Sequence, residues 1–346
     1  MINKGQAQRN GQWLELDWTA LEDPSISDKN QSFKHINPAE LPELAQPRAG
    51  SHPHSVRQWL LARSLFPPKW INRLFSIGGM RWNGDKLQLL AFSPVEPQSD
   101  SLYRKALLPK VTEAPDVLYE DDFCIVFHKP AGMPVHESVP GQRGTLDEAA
   151  ARHMLKQDDP LTVRHIHRLD DDTSGPVLYA KNDLAQWQLD EAMRRKAIDR
   201  HYIAVVQGRV SKAAATISLP IGKDRHHRAR RRVTEGGEQA VTHYEVVESS
   251  AKATIVRVKL ETGRTHQIRV HMSHIGHPLV GDTLYGGDTR LLSHQALHGE
   301  RLLSHQALHG ERLLFPHPWT EVIVDTAAPW PKWLEQLSEN MRSRSK

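Results

Sequence analysis

Apolar and polar positions change period along this chain, and the changes mark out its elements. Gln12 to Trp18 alternates polar and apolar side chains, the period of a half-buried strand. Residues 28–54 hold prolines and little patterning, which predicts loop, so residues 1–54 are expected to form an N-terminal extension. From Ser55 the period becomes helical: Val56, Trp59, Leu60 and Arg63 share a face, and Ile71, Leu74 and Phe75 begin another after Pro67-Pro68. Residues 78–85 read as a turn, a strand and an Asn-Gly hairpin. Residues 55–110 are thus expected to be a small module, closed by a linker from Pro94 onward.

From Val117 on, short β-rich runs such as 123–127 and 176–180 are mixed with helical patterns. One helix is expected over 185–195, its basic last turn suiting the negative end of the helix dipole. These signals do not alternate as βαβ units. The fold class expected for residues 111–346 is α+β on a mixed, mostly antiparallel sheet.

The densest chemistry lies at His165–Gly175, where a cation, a carboxylate, two hydroxyls and a glycine precede the apolar run 176–180. Gly175 permits positive φ or a close backbone approach at the loop exit. Thr173 and Ser174 can bond the loop's own amides. An Asp held beside an Arg suits a nucleophile or an electrostatic stabiliser, although a solvated acidic turn would look similar. Further on, residues 223–232 hold six Lys/Arg against one Asp, a density suited to a phosphate backbone or to a solubilising hairpin tip.

Composition adds bounds. The 346 residues, with 25% charged and 38% hydrophobic, describe a globular chain of about two domains. The net charge of +4 hints weakly at an anionic partner. A single cysteine excludes an intramolecular disulfide, a cysteine-rich zinc site and the paired cysteines of a zinc base deaminase. Cys124 sits in an apolar run and reads as an inert strand thiol. No apolar run approaches the ~20 residues of a membrane helix, and no secretory signal is evident, so the cytoplasm is the expected location.

Four stretches occur in an order that resembles the RluA-type family of RNA pseudouridine synthases. They are residues 117–136 with Lys129-Pro130-Ala131-Gly132; His167-Arg168-Leu169-Asp170 with Thr173-Ser174-Gly175; residues 200–208 around Tyr202; and Gly263-Arg264-Thr265-His266-Gln267-Ile268-Arg269, continued by Gly281-Asp282. Residues 55–85 more loosely resemble an S4-type RNA-binding module. The resemblance implies isomerisation of uridine to pseudouridine in structured RNA, ribosomal or transfer, by a monomer without cofactor or metal. It implies Asp170 as the essential carboxylate, Arg264 as its cation, Tyr202 against the uracil ring and Arg168 in the place the base vacates. Thr173, His266 and Gln267 are expected beside the substrate, and Arg228, Arg230 and Arg231 on the RNA. Arg200 stands where the family more often has Lys.

His266, His271, His274 and His277 have spacings that could suit a metal, yet the same family block accounts for them. Two other functions fit less of the sequence: an RNA-binding assembly protein that is not an enzyme, and a glycosidase, for which no second carboxylate motif stands out. Residues 290–300 and 301–311 are identical elevens, too few copies for a solenoid. The first reads as a duplication accommodated as surface loop or, if helical, as three added turns.

Overall fold

The computed structural model describes residues 7–18, 46–289 and 305–343. In chain order, β1 (Ala7–Asn10) and β2 (Trp13–Asp17) precede helices α1 (Pro53–Ala62) and α2 (Pro68–Ser76), then β3 (Met80–Asn83) and β4 (Lys86–Leu90). These strands form one antiparallel sheet, ordered β1-β2-β4-β3. The predicted strand at Gln12–Trp18 is therefore part of the module rather than of an extension. Its alternation buries Leu14 and Leu16 against Val56, Trp59, Leu60, Ile71 and Leu74 of the two helices. Glu15, buried on the same strand, is held by Asn10, Asn83 and Gln88, and these hydrogen bonds lower its pKa.

Helix α3 (Ser101–Leu107) starts on the Asp100 side chain, which accepts from the amides of Leu102 and Tyr103. The expected linker before it is pinned, since Val95 N–H bonds Pro160 O at 2.7 Å. The core of the module runs on into the next domain: Phe66 stacks on Trp319 with centroids 6.3 Å apart, and Arg73 of α2 pairs with Asp183.

The remaining elements are β5 (Asp116–Glu120), β6 (Cys124–Lys129), α4 (Leu146–Lys156), β7 (Arg164–His165), β8 (Gly175–Ala180), α5 (Asp183–Arg194), β9 (Asp199–Gln207), β10 (Ala214–Ser218), β11 (Ile221–Lys223), β12 (Arg231–Val233), β13 (Val241–Ser249), β14 (Ala253–Leu260), α6 (Gln267–His274), β15 (Leu308–Pro316), β16 (Ile323–Ala327) and α7 (Lys332–Ser343). They build two antiparallel sheets, β5-β6-β8-β7 and β10-β13-β14-β9-β15-β16, plus the hairpin β11-β12. The α+β expectation holds. Helix α5 starts on Asn182, which accepts from Ala185 N–H, and it buries Leu184, Ala185, Leu189 and Ala192. Cys124 is buried in β6, where burial pushes its thiol pKa well up.

The sheets meet where Gly310 N–H of β15 bonds Ser174 O ahead of β8, at 2.7 Å. Gly175 has φ +135° there, and a Cβ on it would lie 2.6 Å from the Gly310 Cα. Gly310 belongs to the second eleven-residue copy, whose described residues, from His305 on, enter β15; the first copy lies outside the described residues. We expect Gly175→Ala to cost about 2–6 kcal/mol, the sum of left-sided backbone strain and overpacking between two backbones. Thermal melting checks this; a shift under a degree would mean that the seam yields freely.

Candidate active site

The loop between β7 and β8 carries Asp170 into a cavity of about 330 Å³. Its shape is fixed by main-chain bonds. Asp170 O accepts from Thr173 N at 2.9 Å, and Asp171 O accepts from Gly132 N at 3.0 Å. Thr173 is buried, its hydroxyl 3.4 Å from the Gln306 amide, and Ser174 Oγ lies 2.8 Å from His309 Nδ1. By contrast, Asp171 and Asp172 are exposed, which singles out Asp170 among three adjacent carboxylates.

The cation on Asp170 is Arg269, at 3.0 Å from Nη1 to Oδ2, and not Arg264 as expected. Arg269 projects from α6 and turns its other edge to buried Asp282, with Nε–Oδ2 at 2.6 Å and Nη2–Oδ1 at 2.9 Å. Burial alone would pull its pKa down; the bonds and charges of Asp282 and Asp170 outweigh this and raise it. Arg264 lines the same cavity but donates to Gln239 O and pairs with Glu238. The turn before α6 explains the difference. Gln267 Oε1 accepts from Arg264 N and Thr262 Oγ1 while its Nε2 donates to Val241 O and Thr242 Oγ1, so its amide is spent on the turn rather than free for a substrate.

Tyr202 of β9 lines the cavity and is buried, and burial holds its phenol above the ordinary pKa. His266 takes the left-handed conformation at φ 57°, with Nε2 3.9 Å from Asp170 Oδ2. Its Nδ1 lies 2.8 Å from Tyr285 Oη, which also accepts Arg231 N–H at 2.9 Å. The arrangement that uses every group has Tyr285 donating to Nδ1, so the imidazole proton sits on Nε2, on the side of Asp170. Arg168 is exposed on the cavity's lining.

Comparisons with known proteins point to one family. Residues 123–274 match the family described as RNA pseudouridylate synthase. A Bacillus subtilis protein, the uncharacterized RNA pseudouridine synthase YhcT, is 42% identical over 234 residues, spanning 67% of this chain and 74% of its own. The chain belongs to the RNA pseudouridine synthase family. A ribosomal large subunit pseudouridine synthase D of Nitrosomonas europaea is 37% identical over 205 residues, 59% of this chain and 57% of that one. The fold is also that of human RNA pseudouridylate synthase domain containing 4, with a TM-score of 0.53 at 23% identity, covering 65% of this chain and 92% of the other.

In this family member, hairpin β11-β12 stands beside the cavity rather than in its lining. Arg228 and Arg232 are exposed, Arg230 lies over the Tyr285 ring at 5.7 Å, and Arg231 is tied to the Tyr285 hydroxyl through its main chain. The four histidines that invited a metal reading go separate ways: His271 bonds Thr242 and Leu219 O, and His277 bonds Gln207 O. Among the described residues the metal-like grouping is instead Asp121, Cys124 and His317. There His317 Nδ1 accepts from the amides of Trp319 and Thr320, so Nε2 carries the proton and donates to Asp121 at 2.6 Å, leaving no lone pair for an ion.

Reading the sequence missed Arg269, Asp282, Tyr285 and the role of Lys129. Lys129, wholly buried, donates to Pro130 O, Met133 O and Asp171 O, three acceptors for three N–H groups. It is the main-chain clamp of the Asp170 loop. Burial pulls its ammonium down to about 8, against the opposing charges of Asp171, Asp170 and Asp172. A neutral amine has two N–H groups and must abandon one carbonyl, so we expect kcat to fall as pH rises through about 8. Global stability should respond with the opposite sign. The folded pKa lies below the unfolded value of about 10.5, so the unfolded state holds more protons between these limits and this group's contribution to stability rises with pH. Paired pH profiles of kcat and melting check this, with Lys129→Met as reference. A kcat limb near 8 that survives in Lys129→Met would disprove the assignment.

Proposed function

We propose that Asp170 is the essential carboxylate with which this enzyme isomerises uridine to pseudouridine, and that its substrate is structured ribosomal RNA. The observation that carries the reading is the carboxylate of Asp170, gripped by Arg269 at 3.0 Å and facing a cavity walled by Tyr202, Arg168 and Arg264. Isomerisation breaks the N1–C1′ bond, turns the uracil and joins C5 to C1′. The C5 proton is lost and N1, freed from C1′, takes one up, so substrate and product have the same composition. Attack on C1′, attack on C6 and proton removal from C2′ all require an anion at this same place, preorganised by a cation. Buried Tyr202 lies against the ring and, kept as a phenol, can relay the C5 proton.

The target base must leave its stack to reach Asp170, and Arg168 on the cavity lining is suited to fill the gap. Arg228, Arg230 and Arg231 hold the RNA backbone beside the cavity. Arg264, held by Glu238, frames the entrance. Support for a ribosomal substrate is the name of relatives such as the Nitrosomonas europaea protein. The enzyme acts as a cytoplasmic monomer; no helix among the described residues is long and apolar enough to cross a membrane. Pseudouridine mapping of total RNA from cells with and without the gene tests the substrate. One or more ribosomal positions should lose the modification and regain it with the wild-type gene. Loss confined to transfer RNA would overturn the ribosomal assignment, and no loss would overturn the activity.

A further inference from the structure

Four arginines line the cavity: Arg168, Arg200, Arg264 and Arg269. Arg269 is neutralised by Asp170 and Asp282, and Arg264 by Glu238. Among the described residues, no carboxylate pairs with Arg168 or Arg200. Exposed Arg168 is hydrated, so its lone charge costs little. Arg200 is in a different position.

Arg200 is half-buried on β9, two residues before Tyr202, and its Nε is shut off from solvent with no hydrogen-bond partner. Its Nη1 lies 2.6 Å from the point where a Cβ on residue 263 would stand. Gly263 does not have a positive φ, so the backbone itself does not demand glycine there. The glycine supplies the space that the guanidinium occupies. The charge also acts on its surroundings: burial first, and Arg200 second, hold the His167 imidazole neutral with a pKa near 3.

A cation fixed in a partly desolvated wall without a counter-ion is costly unless an anion completes it. Uracil carbonyls can accept its hydrogen bonds but cannot neutralise it. We infer that Arg200 is the receptor for a backbone phosphate next to the target uridine, its guanidinium, seated in the room that Gly263 leaves, gripping two non-bridging oxygens from the cavity wall. The inference rests on RNA pseudouridylation as the function.

The test is a chemical double-mutant cycle on a stem-loop RNA carrying the mapped uridine. Single methylphosphonates replace the 5′ or the 3′ flanking phosphate, and single-turnover kcat/KM is measured for wild type, Arg200→Met and Arg200→Lys. On unmodified RNA, Arg200→Met should lose about tenfold to a hundredfold, the worth of a charge-assisted hydrogen bond, and Arg200→Lys less. At one of the two linkages the methylphosphonate should cost wild type a similar factor and cost Arg200→Met nothing more. Gly263→Ala, which can displace only the flexible end of Arg200, should fold and show the same insensitivity. Losses that multiply at both linkages, with wild type active, would overturn the inference alone. An inactive wild type on the mapped RNA would remove the functional reading and the inference with it.

Discussion

Asp170→Asn should lower single-turnover kcat by at least about a thousandfold, some 4 kcal/mol of barrier, while the protein still folds and binds RNA. The amide is nearly isosteric and can still accept a hydrogen bond from Arg269, so the loop keeps its shape. Arg269 also keeps both bonds to Asp282. The stability change should stay within about 1–2 kcal/mol, the worth of a single charge-assisted hydrogen bond. What the amide lacks is the negative charge that attack or proton removal requires. Asp171→Asn and Asp172→Asn, both exposed, should retain most activity. The measurement is the rate of pseudouridine formation with enzyme in excess, beside a melting curve and a binding isotherm. More than a few per cent of wild-type turnover in Asp170→Asn would move the essential carboxylate elsewhere.

How far the site was legible depends on how local its determinants are. The Asp170 loop could be located from a short stretch because its residue types cluster there, although the Thr173 and Ser174 hydroxyls bond Gln306 and His309 rather than the loop's own amides, and Gly175 answers to Gly310. The helical face of α5 could be read from its own period. The partner of Asp170 could not. Arg264 and Arg269 sit five residues apart in one motif, and the choice between them depends on where α6 begins. That in turn depends on Gln267 spending its amide on Thr262, in the turn after β14, and on Val241 and Thr242 of β13. Lys129 was visible as part of a motif, but its three carbonyl partners come together only in the fold. The N-terminal strand was recognised by its alternation and assigned to an extension, because the strand it pairs with, β4, lies about seventy residues further on. Asp282 precedes, and Tyr285 ends, the short 3-10 turn Thr283–Tyr285, whose sequence has no periodicity to read.

Arg269→Met should be the most damaging substitution after that of Asp170, and in two separable ways. Arg269 is 7% exposed and carries three bonds to two carboxylates, one of them the buried Asp282. Methionine fills most of the volume but leaves Asp282 without a counter-charge. Orphaning one member of a buried pair typically costs about 3–5 kcal/mol, which in a domain of this size lowers the melting temperature by on the order of ten degrees. Turnover should collapse as well, since Asp170 loses the group that orients it. Arg264→Met offers the contrast: its pair with Glu238 is exposed on both sides, worth about 0–1 kcal/mol, so melting should barely move. The double variant Arg269→Met with Asp282→Asn separates the two effects. Removing the orphaned charge should recover a large part of the lost stability, whereas activity should remain absent because nothing restores the cation at Asp170. A double variant that regains turnover along with stability would show that Arg269 serves the fold alone, and Arg264 would then return as the candidate cation for the chemistry.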